Sequence, residues 1–268
     1  MGLQINNNIP ALGASRQANR ANSLLADSLR KLGEGRRITR AADDAAGLAI
    51  AERFRTQVRQ GSVEINNLQS GISAVQVADG GLQVQQDAVQ RIRELAVQAS
   101  NGTLSTDDRA ALNAEAQQLL GQIEDVAQDT EFNGQNLLGA NRTIDLGTEG
   151  GAQVEITGST QSALGLNGVD LSTAEGASQA LESLDGALGL LDQNRASLGA
   201  QQNRFESAIN ERETRNVNVA DAESRIRDLD LARASIDQAR ANVLLRGSLG
   251  ALVQANVTPQ STLRLLGA

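Results

Sequence analysis

The 268-residue sequence has no cysteine, histidine, tryptophan or tyrosine, and only three phenylalanines and two prolines. Without Cys and His there is no disulfide, no thiol nucleophile, no Cys/His zinc site and no imidazole base. Carboxylate chemistry alone stays open, so the composition speaks against an enzyme and against a metal or other cofactor. With so few rings, the 40% of the chain that is hydrophobic is mostly Ala, Leu, Ile and Val. Such residues suit helix seams better than a bulky core. Scarce proline leaves long helices uninterrupted. No apolar run reaches the length of a membrane span. The start, MGLQINNNIPALG, lacks the basic and apolar regions of a cleavable secretory signal. We therefore expect no membrane partner and no cleavable leader.

What the sequence does have is three-four apolar spacing, the mark of helices packed along a narrow seam. The longest example starts at Ser172: Ala177, Leu181, Leu184, Leu188, Leu191, Arg195, Leu198, Gln202, Phe205 and Ile209. It continues as Val219, Ala222, Ile226, Leu229, Ala232, Ile236, Ala239 and Val243, loosening near 216–221, and Leu245, Leu249, Leu252 and Asn256 extend it. Pro259 is expected to break or bend the chain. A short seam of small residues, Ala14, Ala18, Ala21, Leu25, Ser28 and Leu32, opens the chain and ends at Gly33 and Gly35. Residues 44–99 read as one helix about 80 Å long. Its seam runs Ala51, Phe54, Val58, Gly61, Ile65, Leu68, Ile72, Val75, then Ala78, Leu82, Gln85, Val89, Ile92 and Ala96. Gly80-Gly81 inside it costs about 2 kcal/mol of helix propensity, so packing must hold that point straight. Ser105 or Thr106 opens the next helix, with Leu112, Ala116, Leu119, Ile123 and Val126 on its seam. Thr143–Leu146 and Val154–Thr157 alternate polar and apolar around a glycine-rich connection, which predicts a β-hairpin. Ser172 and Glu175 form a capping-box pattern for the return helix. The fold class is mainly α: long antiparallel helices in a coiled-coil-like rod, with a small β-hairpin region.

Two sharper readings of local patterns carry little. Asp43-Asp44 has no partner base and reads as a helix start. Gly147–Gly151 lacks the Lys and Ser/Thr of a phosphate loop. The net charge is −8, unevenly spread. Residues 1–40 hold seven basic and two acidic side chains, and 226–268 hold five and three. Basic ends could bind nucleic acid, but they carry no aromatic for stacking, so helices of the same protein are the better partner. All cations but Lys31 are arginine, which bonds carboxylates with two prongs. Arginines of one copy are thus expected to meet the acidic middle of another, with contacts that weaken in salt.

Several runs then resemble a known family. RITRAADDAAGLAIAERF (37–54), QRIRELAVQAS (90–100), EFNGQNLL (131–138), LGAQQNRFESAI (198–209) and LVQANVTPQSTLRLL (252–266) closely resemble bacterial flagellin, in the family's order and across nearly the whole chain. The resemblance implies the structural subunit of the flagellar filament, a helical tube used for motility. It assigns 1–43 and 226–268 to terminal helices of the inner filament tube and 44–225 to a helical rod core, with a β-hairpin near 132–160. Only residues 139–171 separate the Glu131–Leu138 block from the return helix, so no large outer domain is expected. The terminal segments are expected to be largely disordered in the free subunit and to fold on assembly.

The assembly seam is then Ala14, Ala18, Ala21, Leu25, Leu32, Leu229, Ile236, Val243, Leu249 and Leu252. Implied partners are other subunits of the homopolymer, an export chaperone, and cap and junction proteins. Export through the flagellum's own channel to the extracellular filament is implied as well. By the same resemblance, a host Toll-like receptor would contact Arg91, Leu95 and Glu115. Ser159, Thr160 and Ser162 are candidate glycan acceptors. Rival readings are a hook–filament junction protein, which resembles flagellin at both ends, an enzyme, and an intracellular coiled-coil scaffold.

Overall fold

A computed structural model describes residues 8–266, with side chains through Val257. It is mainly α, with long antiparallel helices and a small antiparallel β-hairpin region. The elements are α1 (Ile9–Glu34), α2 (Ala45–Ala99), α3 (Thr106–Asp129), β1 (Glu131–Phe132), β2 (Gln135–Asn136), β3 (Arg142–Asp145), β4 (Gln153–Ile156), α4 (Ala174–Arg227) and α5 (Leu231–Leu266). They divide into two compact units. One takes the chain up to Val58 with the chain from Val217 on; the other is Arg59–Asn216.

In the second unit α2 follows its seam without interruption. Leu68, Gly71, Val75, Ala78, Leu82, Gln85, Val89, Ile92, Ala96 and Ala99 are all buried, alternating steps of three and four. Gln85 is a true member: its Nε2 donates to the carbonyls of Ile123 and Ser159, both at 3.0 Å. Ala116, Leu120, Ile123 and Ala127 of α3 and Ala177, Leu184, Leu191, Leu198 and Phe205 of α4 complete the core. The partners Glu64–Arg212, Asp79–Arg195, Gln86–Asp192 and Arg93–Asp185 rise in number along α2 as they fall along α4, so the two run antiparallel. Helix α2 stays helical through Gly80-Gly81 because the chain after α3 needs that spot. A Cβ on Gly81 would lie 2.7 Å from both Leu138 Cδ1 and Thr130 Oγ1, whereas one on Gly80 would meet nothing.

The hairpin forms as expected, with Thr143 opposite Glu155 and Ile144 opposite Val154. Val154 and Ile156 enter the core while Gln153 and Glu155 face out. Its docking is polar as well as apolar: Gln201 and the Glu155 peptide exchange two 2.8 Å bonds, as a neighbouring strand would. A second, tiny hairpin, β1–β2, turns at Asn133-Gly134, where φ is 52° and 72°. That turn needs two positive φ values, which Asn-Gly supplies at least cost.

In the first unit α1 packs antiparallel on α5. Asn8 caps α1 by accepting from the Ala11 amide, and its Nδ2 donates to the Ala255 carbonyl at 2.8 Å. At the other end Gly35 takes φ 66° and closes α1. The two linkers then pair: Arg37 N donates to Arg227 O at 2.7 Å and Leu229 N to Gly35 O at 3.1 Å.

Two local expectations change. Helix α5 continues past Pro259 to Leu266. Proline there gives up its amide bond and crowds the carbonyl four residues back, yet the helix continues through it. The cap of α4 is Thr173, whose Oγ1 accepts from the Gly176 amide, while Ser172 turns back to Asp170. The spacing loosens at 216–221 where the two units divide, between Asn216 and Val217, while α4 itself runs on to Arg227.

Candidate assembly surface

The α1 face against α5 is built from small residues. Ala18 and Ala21 are buried, and Ala14, Leu25, Ser28 and Leu32 are half-buried around them. Their partners on α5 are Ala234, Ala241 and Ser248, with Gln238, Leu245, Leu252 and Ala255 half-buried between. Those seven positions alternate four and three along α5; the sequence reading placed Leu245 and Leu252 on the seam and passed over the other five. The reading followed the heavier aliphatics, yet Ile236 is 61% and Val243 70% exposed, and Leu249 also faces out. Leu229 is half-buried beside the linker pair. A heptad of Ala, Ala and Ser was the available signal; small side chains let two helix backbones approach closely. The face that remains outside carries Ile9, Leu12, Leu24, Leu231, Ile236, Val243, Val253 and Val257, an apolar surface rare on a lone soluble chain.

Around the linkers the charges are structural. Backbone and side-chain hydrogen bonds from Thr39, with one from the Arg40 amide, outweigh burial and hold the Asp43 carboxyl below its ordinary value. Asp44 caps α2 through the Gly47 amide at 2.8 Å. Arg227 is buried and donates to Glu52 at 2.9 Å. Each carboxylate of Asp43-Asp44 thus has a local hydrogen-bonding task, and neither is aimed at a reacting group.

The second candidate surface lies in the other unit. Arg91 donates to Glu115 through Nε at 3.1 Å and Nη2 at 2.9 Å, and through Nη1 to Glu94 at 2.9 Å. These bonds, from Glu94 first and then Glu115, raise the Arg91 pKa above its ordinary value. Arg91 and Glu115 are exposed. Leu95 is not: it is 1% exposed and belongs to the core. The four-residue spacing that suggested a shared face with Arg91 falls across the edge between surface and core. Ser159 is likewise fully buried and can accept no glycan, and the Thr160 hydroxyl caps the Ala163 amide.

Among the described residues no group of three Asp, Glu, His or Cys side chains could hold a metal ion. Nor is any described helix long and apolar enough to cross a membrane. Family comparison decides the class. The family model for the bacterial flagellin N-terminal helical region matches residues 5–143, and that for the C-terminal helical region matches 181–266. The chain belongs to the flagellin family. A flagellin of Halalkalibacterium halodurans is 40% identical over 98% of this chain and 99% of its own. The flagellar filament 33 kDa core protein of Treponema phagedenis is 37% identical over 98% and 99%. Among solved structures, the Bacillus cereus flagellin matches with a TM-score of 0.50 at 28% identity, covering 55% of this chain and 88% of its own.

A flagellar hook-associated protein of Vibrio parahaemolyticus reaches a TM-score of 0.61 over 69% of this chain and all of its own. Its identity is 11%, so the likeness is one of fold. This flagellin is a minimal form in which the central variable region is largely absent. It is a structural subunit of the extracellular flagellar filament, self-assembles through its terminal helices, and is not an enzyme.

Proposed function

We propose that residues 1–43 and 226–268 form the inner tube of the filament, and that 44–225 form the surrounding core without a large outer domain. One observation carries this reading: the outward face of the α1/α5 pair exposes Leu12, Ile236, Val243 and Val253, side chains that gain about 1.5–3 kcal/mol each when buried. Contact with neighbouring subunits supplies that burial. The seam residues Ala14, Ala18, Ala21, Leu25, Leu32, Leu229 and Leu252 support the pair within one subunit, and Ile236, Val243 and Leu249 meet the next. Electron microscopy of the purified protein after seeding tests this. Val243→Asp is expected to leave the helix content intact and abolish filaments. Long filaments from that variant would overturn the assignment.

The same reading extends to finer partners. An export chaperone covers the apolar face before assembly, and cap and junction proteins bound the filament. Export uses the flagellar channel without a cleavable leader, which the mass of the subunit in isolated filaments checks. A host Toll-like receptor for flagellin contacts Arg91 and Glu115, with Leu95 holding the helix beneath them. Arg91→Ala should lower stimulation of receptor-bearing cells; an undiminished response sinks that contact.

A further inference from the structure

Three asparagines are followed by glycine: Asn101-Gly102, Asn133-Gly134 and Asn167-Gly168. A glycine in that place has no Cβ to shield its backbone nitrogen, which can therefore approach the amide carbon of the asparagine side chain. Attack needs a side-chain carbonyl that is not held and a backbone nitrogen that is not donating. It also needs a main chain free to turn the one onto the other. The three pairs differ in how far they meet these needs.

Asn101 is held on two sides. Its Oδ1 accepts from the Thr103 amide at 3.1 Å and from the Thr103 hydroxyl at 3.0 Å. Its main-chain carbonyl accepts from the Leu104 amide at 3.2 Å and from Arg109 Nη2 at 2.8 Å, which fixes the Asn101–Gly102 peptide. Asn133 is exposed but locked by shape. With Gly134 it makes the two-residue turn of β1–β2, at φ 52° and 72°, with Phe132 opposite Gln135. Rotating Asn133 onto the next nitrogen would undo that turn.

Asn167 meets all three needs. It and Gly168 are exposed and lie outside every helix and strand. Neither the Asn167 side chain nor the Gly168 amide has a hydrogen-bond partner among the described residues. The turn around them is closed by one long bond, from Val169 N to Leu166 O at 3.3 Å. A Cβ on Gly168 would meet nothing within 4 Å, so the space beside the reacting nitrogen is open.

We propose that Asn167 is a site of spontaneous deamidation in the folded subunit, and that the fold protects Asn101 and Asn133. The Gly168 nitrogen loses its proton and attacks Asn167 Cγ. The new N–C bond closes a five-membered succinimide, and the side-chain nitrogen leaves as ammonia. Water then adds to one of the two ring carbonyls and opens the ring, giving aspartate or isoaspartate. No oxidant or reductant takes part. Either product adds a negative charge. Isoaspartate also adds one carbon to the main chain between Leu166 and Val169, both packed in the core, and so loosens the segment that covers it.

The arginine pattern separates the three sites. Trypsin cuts after Arg93, Arg109, Arg142 and Arg195, so the pairs leave in different peptides, 94–109, 110–142 and 143–195. The full-length chain, kept monomeric, is held at mildly alkaline pH in water enriched in heavy oxygen, which labels each new carboxylate. Timed samples are digested and read by mass spectrometry. Asn167 is expected to convert about tenfold faster than Asn101 or Asn133, the factor that one or two hydrogen bonds are worth. In urea the three should converge on one rate.

Conversion of Asn101 or Asn133 in the folded chain at the rate of Asn167 overturns the proposal. So does an Asn167 that converts in urea but not in the folded chain. If the ranking persists in urea, local sequence and not the fold sets it, and the proposal fails. Gly168→Ala has open space and no left-handed φ to strain, so it should keep the fold and suppress conversion at Asn167. Conversion at the parent rate in that variant overturns the ring-closing route.

Discussion

The two units use one periodicity for opposite ends. In the Arg59–Asn216 unit the seam is wide and lined by Leu, Ile, Val and Phe205, and the hairpin and the 157–173 segment close over it. Gln117 and Asn113 of α3 hold that segment at Val169 and Leu171. In the unit containing α1 and α5 the seam is narrow, with Ala and Ser at its buried positions and Leu25, Leu32, Leu245 and Leu252 only half-buried, and it leaves Ile236 and Val243 outside. A unit that buries its Leu and Ile residues keeps its hydrophobic driving force within itself. A unit that buries alanines and displays Ile236 and Val243 has kept most of its hydrophobic driving force for a neighbour.

The largest expected difference is in amide exchange of the free subunit. Amides of α1 and α5 should exchange at least about a thousandfold faster than those of Leu82–Ala99, because local opening tracks buried apolar contact. Equal protection in both would erase the contrast. Next comes Phe205→Ala, at 1% exposure in the core. It should cost about 3–5 kcal/mol in urea unfolding while filaments still form in the cold.

The buried Arg212–Glu64 pair, at 2.6 Å, ties α4 to α2, and Arg212 also donates to the Glu149 carbonyl at the hairpin connection. Arg212→Met should cost about 3 kcal/mol by stranding Glu64, and adding Glu64→Leu should restore most of it. Burial pushes the Glu64 carboxyl up, but bonds from Arg212, Gln60 and the Glu149 amide outweigh it and hold the group below its ordinary 4.5. The pair's contribution is therefore complete above about pH 4.5 and disappears as pH falls through the lower folded value. Unfolding midpoints measured down an acid series should show that loss in the parent and not in the double variant.

Ala21→Leu tests the narrow seam. A larger side chain at a buried helix contact should cost about 1–3 kcal/mol and suppress polymerisation, with the unfolding of the other unit unchanged. The smallest effect is a pair of neighbours. Gly80→Ala should stabilise by about 1 kcal/mol, having open space. Gly81→Ala should not, because its Cβ would press on Leu138 and Thr130.

Much of this was legible beforehand. The seam of α2, including Gln85, the Ser105 cap of α3, the β3–β4 pairing and the α1 seam through Ala18 and Ala21 all follow from spacing and cap chemistry. The β1–β2 turn was legible too, in Asn133-Gly134, and went unread. The inward face of α5 was harder. The chain there carries two overlapping heptad series, Leu229–Ile236–Val243 and Ala234–Ala241–Ser248, and periodicity alone ranks the heavier one inside.

The sequence by itself determined the helices, the hairpin, the family and the presence of a surplus apolar stripe. These depend on local propensity and on repeats that any helix of this composition displays. Tertiary structure decided which stripe goes in. Alanines on α1 match alanines on α5 at close approach, so the aliphatic stripe is left facing out. It also decided that Leu95 and Ser159 are buried and that Gly81 admits the chain after α3. The α1/α5 facts depend on antiparallel pairing between residues more than two hundred positions apart, and the Gly81 contact on Leu138, 57 positions away, registers that no local window of sequence contains.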